Sequence, residues 1–126
     1  MRGEAMKYCL ILDDSSSIRR VTARILESLG YGAATAGDSE AALEACGVRM
    51  PDCIVVDWTM PGFDPVRFMA RLRRMPDGDR PTVMSCLFEN DPDLAGRARQ
   101  KGAGGALLKP FDTRALRSSL VACGLL

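Results

Sequence analysis

Apolar runs of strand length, each stopped abruptly by a charged side chain, constrain this chain more than any other feature. Tyr8-Cys-Leu-Ile-Leu12 runs into Asp13-Asp14, Cys53-Ile-Val-Val56 into Asp57, and Ala106-Leu107-Leu108 into Lys109. Short runs with no polar alternation belong to strands covered on both faces, as in parallel sheets. Thr82 to Leu87 supplies another such run, and Tyr31 to Ala36 a shorter, weaker one.

Helix signals fill the intervals. Ser15-Ser16-Ser17 forms a capping cluster. After it Ile18, Val21, Ile25 and Leu29 recur at helical steps, which predicts one apolar face, and Gly30 ends the helix at C′. Gly37-Asp38-Ser39 caps a second helix from Glu40 to Cys46. Pro65 opens a third, to about Arg74, carrying Val66, Met69, Ala70 and Leu72-Arg73. Asp91-Pro92 supplies the N-cap and first residue of a fourth helix ending before Gly102, and Thr113 caps a last one reaching about Cys123. Met60-Pro61-Gly62 and Pro76 to Pro81 are loops. Five strand–helix units imply an α/β fold, a parallel sheet with helices on both faces.

The chain has 126 residues, enough for one such domain with a real core. Residues 7–126 are read as that domain and residues 1–6 as an extension without fixed structure, so that either Met1 or Met6 could be the natural start. Seventeen basic residues against sixteen acidic ones leave a net charge of +1, which points to neither nucleic acid nor a membrane surface as partner. No stretch approaches the ~20 apolar residues of a membrane span, and Met1 to Lys7 lacks an apolar signal core. There is no histidine, so a His-based triad or His-rich zinc site is excluded. The five cysteines, Cys9, Cys46, Cys53, Cys86 and Cys123, are odd in number and form no CxxC pair. Cys9, Cys53 and Cys86 lie inside apolar runs and read as small hydrophobes in a reducing, cytoplasmic setting.

In a doubly wound sheet, ligands gather beyond the carboxyl ends of the strands. Asp13, Asp14, Asp57 and Lys109 should therefore converge. Taken singly, an acidic pair after a strand is usually a solvated loop or a cap, and a Lys-Pro usually nothing. Their joint placement after the first, third and fifth strands argues for chemistry. Crowded carboxylates demand a proton or a cation. With only oxygen donors nearby the fitting cation is hard: Mg2+, or Mn2+. An aspartate can attack phosphorus to give an aspartyl phosphate, while a metal and a lysine neutralise the charge on the group in transit.

Leu-Asp13-Asp14-Ser, Val-Val-Asp57-Trp-Thr-Met-Pro61 and Leu-Lys109-Pro110-Phe111, in that order and at those separations, resemble the receiver domain of two-component response regulators, above all the stand-alone chemotaxis type. The resemblance runs from about Lys7 to Leu120. It implies a flavodoxin-like fold with strand order 2-1-3-4-5, and a bacterial, cytoplasmic single-domain regulator that is a phosphoacceptor rather than a turnover enzyme. Asp57 matches the phosphorylated aspartate. Asp14 matches the direct Mg2+ ligand, with Asp13 acting partly through water and the Thr59 carbonyl completing the site. Lys109 matches the lysine that pairs with the phosphoryl group, joined to Pro110 by a cis bond. The implied phosphodonor is a sensor histidine kinase or a histidine phosphotransferase. The implied output is another protein, bound on the face of helix four, strand five and helix five, where Arg97, Arg99, Arg114 and Arg117 form either a docking surface or merely a solvated basic face. No segment reads as a DNA-binding domain, so output through another protein is the expectation.

Several positions depart from that pattern. Counting back from Lys109 without gaps puts Leu87 where the family has a switching Thr or Ser; leucine cannot donate a hydrogen bond. Pro81, matching the family's strand-opening proline, suggests Cys86 instead, and only Ser85 would restore a hydroxyl. Phe88 occupies a position normally small, Ala106 one normally aromatic, and Pro65 one in the loop after Asp57 that is usually glycine. Trp58 reads as a rim residue and Arg19-Arg20 as a solvated helix start. Two functions compete: a phosphorylation-driven switch, and a pseudo-receiver that docks its partner regardless of phosphate. A phosphohydrolase is disfavoured, because Asp57-Trp-Thr has no second carboxylate two residues on.

Overall fold

The computed structural model describes residues 6–88 and 92–126. Strands and helices alternate throughout: β1 (Tyr8–Leu12), α1 (Ser16–Ser28), β2 (Gly32–Ala36), α2 (Ser39–Val48), β3 (Cys53–Asp57), α3 (Pro65–Arg73), β4 (Thr82–Leu87), α4 (Pro92–Gln100), β5 (Gly105–Leu108) and α5 (Thr113–Ala122). The strands form one parallel sheet in the order β2-β1-β3-β4-β5, as the resemblance implies.

Successive residues of a strand point to opposite faces, and both faces here are covered. Leu10, Leu12, Ile54, Val56, Val83 and Leu87 pack with Leu43 of α2, Phe68 and Leu72 of α3 and Ala98 of α4. Cys9, Ile11, Cys53, Val55, Met84, Cys86 and Leu107 pack with Leu26 of α1 and Leu116 and Leu120 of α5. Two covered faces explain why the central strands read as unbroken apolar runs. The weaker β2, Gly-Ala-Ala-Thr-Ala, is an edge strand with only its last residue buried.

Helix faces depart from the expected stripes. In α1 the inward residues are Thr22 and Leu26, while Val21 is 54% exposed. In α3 Phe68, Met69 and Leu72 turn inward and Val66 is exposed. The cap of α5 is Asp112 rather than Thr113: its Oδ1 accepts from the Ala115 N–H at 2.8 Å. Ser15 caps α1 and Asp38 caps α2 in the same way. The expected N-cap Asp91 and residues 1–5 lie outside the described residues; Met6 lies inside, its carbonyl accepting from Arg49.

α1 and α5 end alike. Gly30 (φ +89°) and Gly124 (φ +74°) take the left-handed conformation that suits glycine. This lets the Tyr31 N–H reach the Leu26 carbonyl at 2.9 Å and the Leu125 N–H reach Leu120 at 2.8 Å, the paired closure of a Schellman motif. Tyr31 and Leu125 are then both buried, and the Tyr31 hydroxyl donates to the Leu125 carbonyl. All five cysteines are free thiols. Among the described residues no helix is long and apolar enough to cross a membrane.

Candidate functional site

Sheet alternation builds the site. Asp57 continues the parity of Cys53 and Val55, Asp13 that of Cys9 and Ile11, and Lys109 that of Leu107. All three side chains therefore leave the carboxyl ends of β1, β3 and β5 toward the face covered by α1 and α5. Asp13, Asp57 and Lys109 are buried, at 3%, 4% and 7% exposure, whereas Asp14 is exposed. Lys109 Nζ lies 2.5 Å from Asp13 Oδ2 and 3.4 Å from Asp57 Oδ2. The Lys109–Pro110 bond is cis. Burial alone would lower the Lys109 pKa, but the hydrogen bond to Asp13 and the charges of Asp13 and Asp57 outweigh it and leave it raised. The lysine is held as an ammonium.

The loops that carry the carboxylates are tied down. Asp13 Oδ1 accepts from the Ser15 N–H at 2.9 Å, and the Asp13 carbonyl from Arg19 Nη1 at 2.7 Å. Asp57 Oδ1 accepts from the Thr59 N–H at 3.1 Å and its hydroxyl at 2.9 Å. Arg19, read from the sequence as a solvated helix start, thus braces the β1–α1 loop. No local pattern flags that contact, because it depends on the turn between strand and helix.

One oxygen from each of Asp13, Asp14 and Asp57 lies within 4.8 Å of the others. Among the described residues three carboxylates gather around the Lys109 ammonium, with the Arg19 guanidinium on the Asp13 carbonyl, and the acidic donors are all oxygen. That set fits a hard divalent cation such as Mg2+ or Mn2+. Thr59 stands exposed at its rim.

The end of β4 differs. Cys86, not Leu87, is the register partner of Asp57. Burial, reinforced by the Asp13 and Asp57 carboxylates and opposed by Lys109, pushes its thiol up to about 12, so it stays neutral. Leu87 points to the opposite face and is buried among the residues under α2, α3 and α4. Ser85, paired with Val56, also lies on that opposite parity, and its hydroxyl donates to the Gly105 carbonyl at 3.3 Å. Phe88 is 59% exposed, with Lys109 Nζ 5.1 Å from its ring centroid. Ala106 is exposed on β5, as are Arg97, Arg99, Arg114 and Arg117 on α4 and α5. Trp58 is buried rather than at a rim, edge-on to Phe63 at 5.5 Å, and Phe63 in turn meets Phe68. Pro65 is the first residue of α3.

Known proteins are similar to this chain in sequence and fold. A family model of the response regulator receiver domain matches residues 9–121. The chemotaxis protein CheY of Pseudomonas aeruginosa is 32% identical over 118 residues, covering 88% of this chain and 90% of that protein. The phosphate regulon transcriptional regulatory protein PhoB of the same organism is 34% identical over 118 residues, covering 92% of this chain and 51% of that protein. The chain spans about half the length of the transcriptional regulators it matches. Among solved structures, the chemotaxis response regulator CheY4 of Vibrio cholerae superposes with a TM-score of 0.85 at 28% identity, covering 94% of this chain and 99% of that one.

Proposed function

The chain belongs to the response regulator receiver family of two-component signalling, and on that premise we propose that it works by accepting a phosphoryl group on Asp57. The observation that carries this reading is the Asp57 carboxylate itself: buried, fixed by Thr59 through one oxygen, and faced by the Lys109 ammonium at 3.4 Å from the other.

In the proposed transfer, an Asp57 oxygen attacks the phosphorus of a phosphohistidine on a sensor kinase or histidine phosphotransferase. The O–P bond forms as the N–P bond breaks, and the imidazole leaves with a proton from solvent. Thr59 orients the attacking carboxylate, so little reorganisation is needed at the moment of reaction. Lys109, now shared between Asp13 and Asp57, turns toward the phosphoryl oxygens and balances their charge. Asp13, Asp14, Asp57 and the Thr59 carbonyl would hold Mg2+ or Mn2+, which supplies the remaining positive charge. The chain is a phosphoacceptor rather than a turnover enzyme. It acts in the cytoplasm, and the exposed face of α4, β5 and α5 meets a downstream protein.

A constitutive docking module is the weaker reading, since buried like charges are costly to keep where nothing is bound. Incubation with phosphoramidate and Mg2+ should add one phosphoryl group by intact mass, and Asp57→Asn should abolish it. Labelling of the Asn variant at the wild-type level overturns the proposal.

A further inference from the structure

Asp14 is the exposed member of the carboxylate cluster, and among the described residues no hydrogen bond holds its carboxylate. Its direction is therefore set by the backbone that carries it. Asp13 before it is fixed on two sides: its N–H donates to the Ala36 carbonyl at 3.1 Å, and its carboxylate accepts from the Ser15 N–H and from Lys109. The peptide that joins Asp13 to Asp14 is held separately, by Arg19 Nη1 on the Asp13 carbonyl at 2.7 Å. A peptide unit is planar, so fixing its carbonyl fixes the plane from which the Asp14 side chain departs. Arg19 reaches that carbonyl past the end of β2. The three heavy atoms nearest to where a Cβ would stand on Gly37 all belong to Arg19, Nη1 first at 3.2 Å. Gly37 does not have the positive φ of Gly30 or Gly124, so what its glycine supplies is room for the guanidinium.

We propose that Arg19, seated against Gly37, is a positioning residue for the divalent cation: it holds the Asp13–Asp14 peptide in the plane that keeps Asp14 beside Asp13 and Asp57. This rests on those three carboxylates holding such a cation. Two effects of the guanidinium oppose each other. Its charge repels a cation, but it is half-exposed and screened by solvent and salt. Its hydrogen bond orients a ligand, and partners that orient metal ligands are worth about 10- to 100-fold in affinity. Orientation therefore wins, and the sign of the effect separates the two. The end of β2 thus sets the affinity of a site to which it contributes no ligand.

The test follows urea unfolding by far-UV circular dichroism over a series of Mg2+ concentrations, in wild type, Arg19→Met, Gly37→Val and the double variant. Binding to the folded state raises the urea midpoint as Mg2+ passes its dissociation constant. Arg19→Met should need about tenfold more Mg2+ for the same gain. Gly37→Val, which keeps the charge but displaces the guanidinium, should shift in the same direction, and the double variant should be no weaker than Arg19→Met, since both changes break one contact. A merely structural role would lower every midpoint in EDTA and leave the Mg2+ dependence as in wild type; that result overturns the proposal. So does tighter Mg2+ binding in Arg19→Met, the outcome if charge alone matters, and so does a double variant weakened by the product of the single effects. If wild type itself gains no stability from Mg2+, the cation site falls and takes the positioning role with it.

Discussion

At the carboxyl ends of β1, β3 and β5 the side chains are charged, buried and tied to one another through Lys109, Ser15 and Thr59. At the end of β4 beside them the side chains are apolar or neutral: Leu87 packed under α2, α3 and α4, Cys86 an un-ionised thiol, Phe88 half in solvent. The first region has what phosphoryl transfer needs, fixed charges around a nucleophile. The second lacks what a switch needs, a polar group that gains a contact in one state only. Accepting a phosphoryl group, as proposed for Asp57, and responding to it are thus separable demands that fall on different strands, and only the strands of the first carry the groups it needs.

The largest expected effect comes from unbalancing the charged region. Lys109→Met leaves Asp13 and Asp57 buried without a counter-charge, and removing one partner of a buried ion pair costs about 3–5 kcal/mol. Urea unfolding in EDTA should show that loss, and added Mg2+ should restore more stability to the variant than to wild type. A loss under about 1 kcal/mol, within the range of a surface pair, would mean that Lys109 is not electrostatically coupled to Asp13 and Asp57.

The β4 end should fail for a different reason. Leu87→Ala empties a fully packed position and should cost about 2–5 kcal/mol with no dependence on Mg2+. Ala106→Leu, on the exposed side of β5, should stay within about 0.5 kcal/mol of wild type. If Leu87→Ala responds to Mg2+ as Lys109→Met does, the two regions are one unit and the contrast collapses.

How far these regions were legible in the sequence follows the same division. The charged residues stand at abrupt ends of apolar runs, so a one-dimensional pattern carries their three-dimensional convergence. The parity of β4 is not in the count of residues back from Lys109; it is set by pairing with β3, where Asp57 meets Cys86. The α1 face differs from the apolar pattern because the helix turns Thr22 and Leu26 inward and leaves Val21 exposed, a phase set by packing on the sheet. Thr113 and Asp112 are both able caps, and only the turn geometry chooses between them. Arg19 and Phe88 meet Asp13 and Lys109 through tertiary contacts that leave no local signature.

The other end of the sheet offers a control that neither region should disturb. Burial, with smaller contributions from Cys53, Cys9 and Asp52, raises the Tyr31 pKa from 10.0 to about 12. The folded state therefore favours the neutral phenol, and its stabilisation is full below pH 10 and lost as pH rises through 12. Tyr31→Phe should remove that part of the alkaline slope in a pH series of urea midpoints. Lys109, whose pKa is also raised, is stabilising below its ordinary value and loses that contribution as pH rises through its own raised value. Its slope should survive in the Phe variant. An unchanged slope between pH 10 and 12 would mean that the hydroxyl is not buried against Leu125.

The smallest expected effect is the response of the β4 end to phosphorylation itself. A modification shifts an equilibrium only through contacts that differ between the two states. A charge-assisted hydrogen bond from β4 to a phosphoryl oxygen would be worth about 1.5–3 kcal/mol, comparable to a whole coupling free energy of ~1–3 kcal/mol. Leu87 has no donor to offer and sits on the wrong face, Ser85 is spent on Gly105, and the Cys86 thiol is only a weak donor. Ala106 brings no ring whose rotation could report the change. Lys109 keeps one state-dependent contact as it leaves Asp13 for the phosphoryl group. Amide exchange with and without beryllofluoride and Mg2+ should therefore show added protection near Asp57, Thr59 and Lys109 and little across α4 and α5. A large change in protection along α4 would show that β4 signals by a route other than a hydroxyl, with Cys86, the register partner of Asp57, the first residue to replace by serine and alanine.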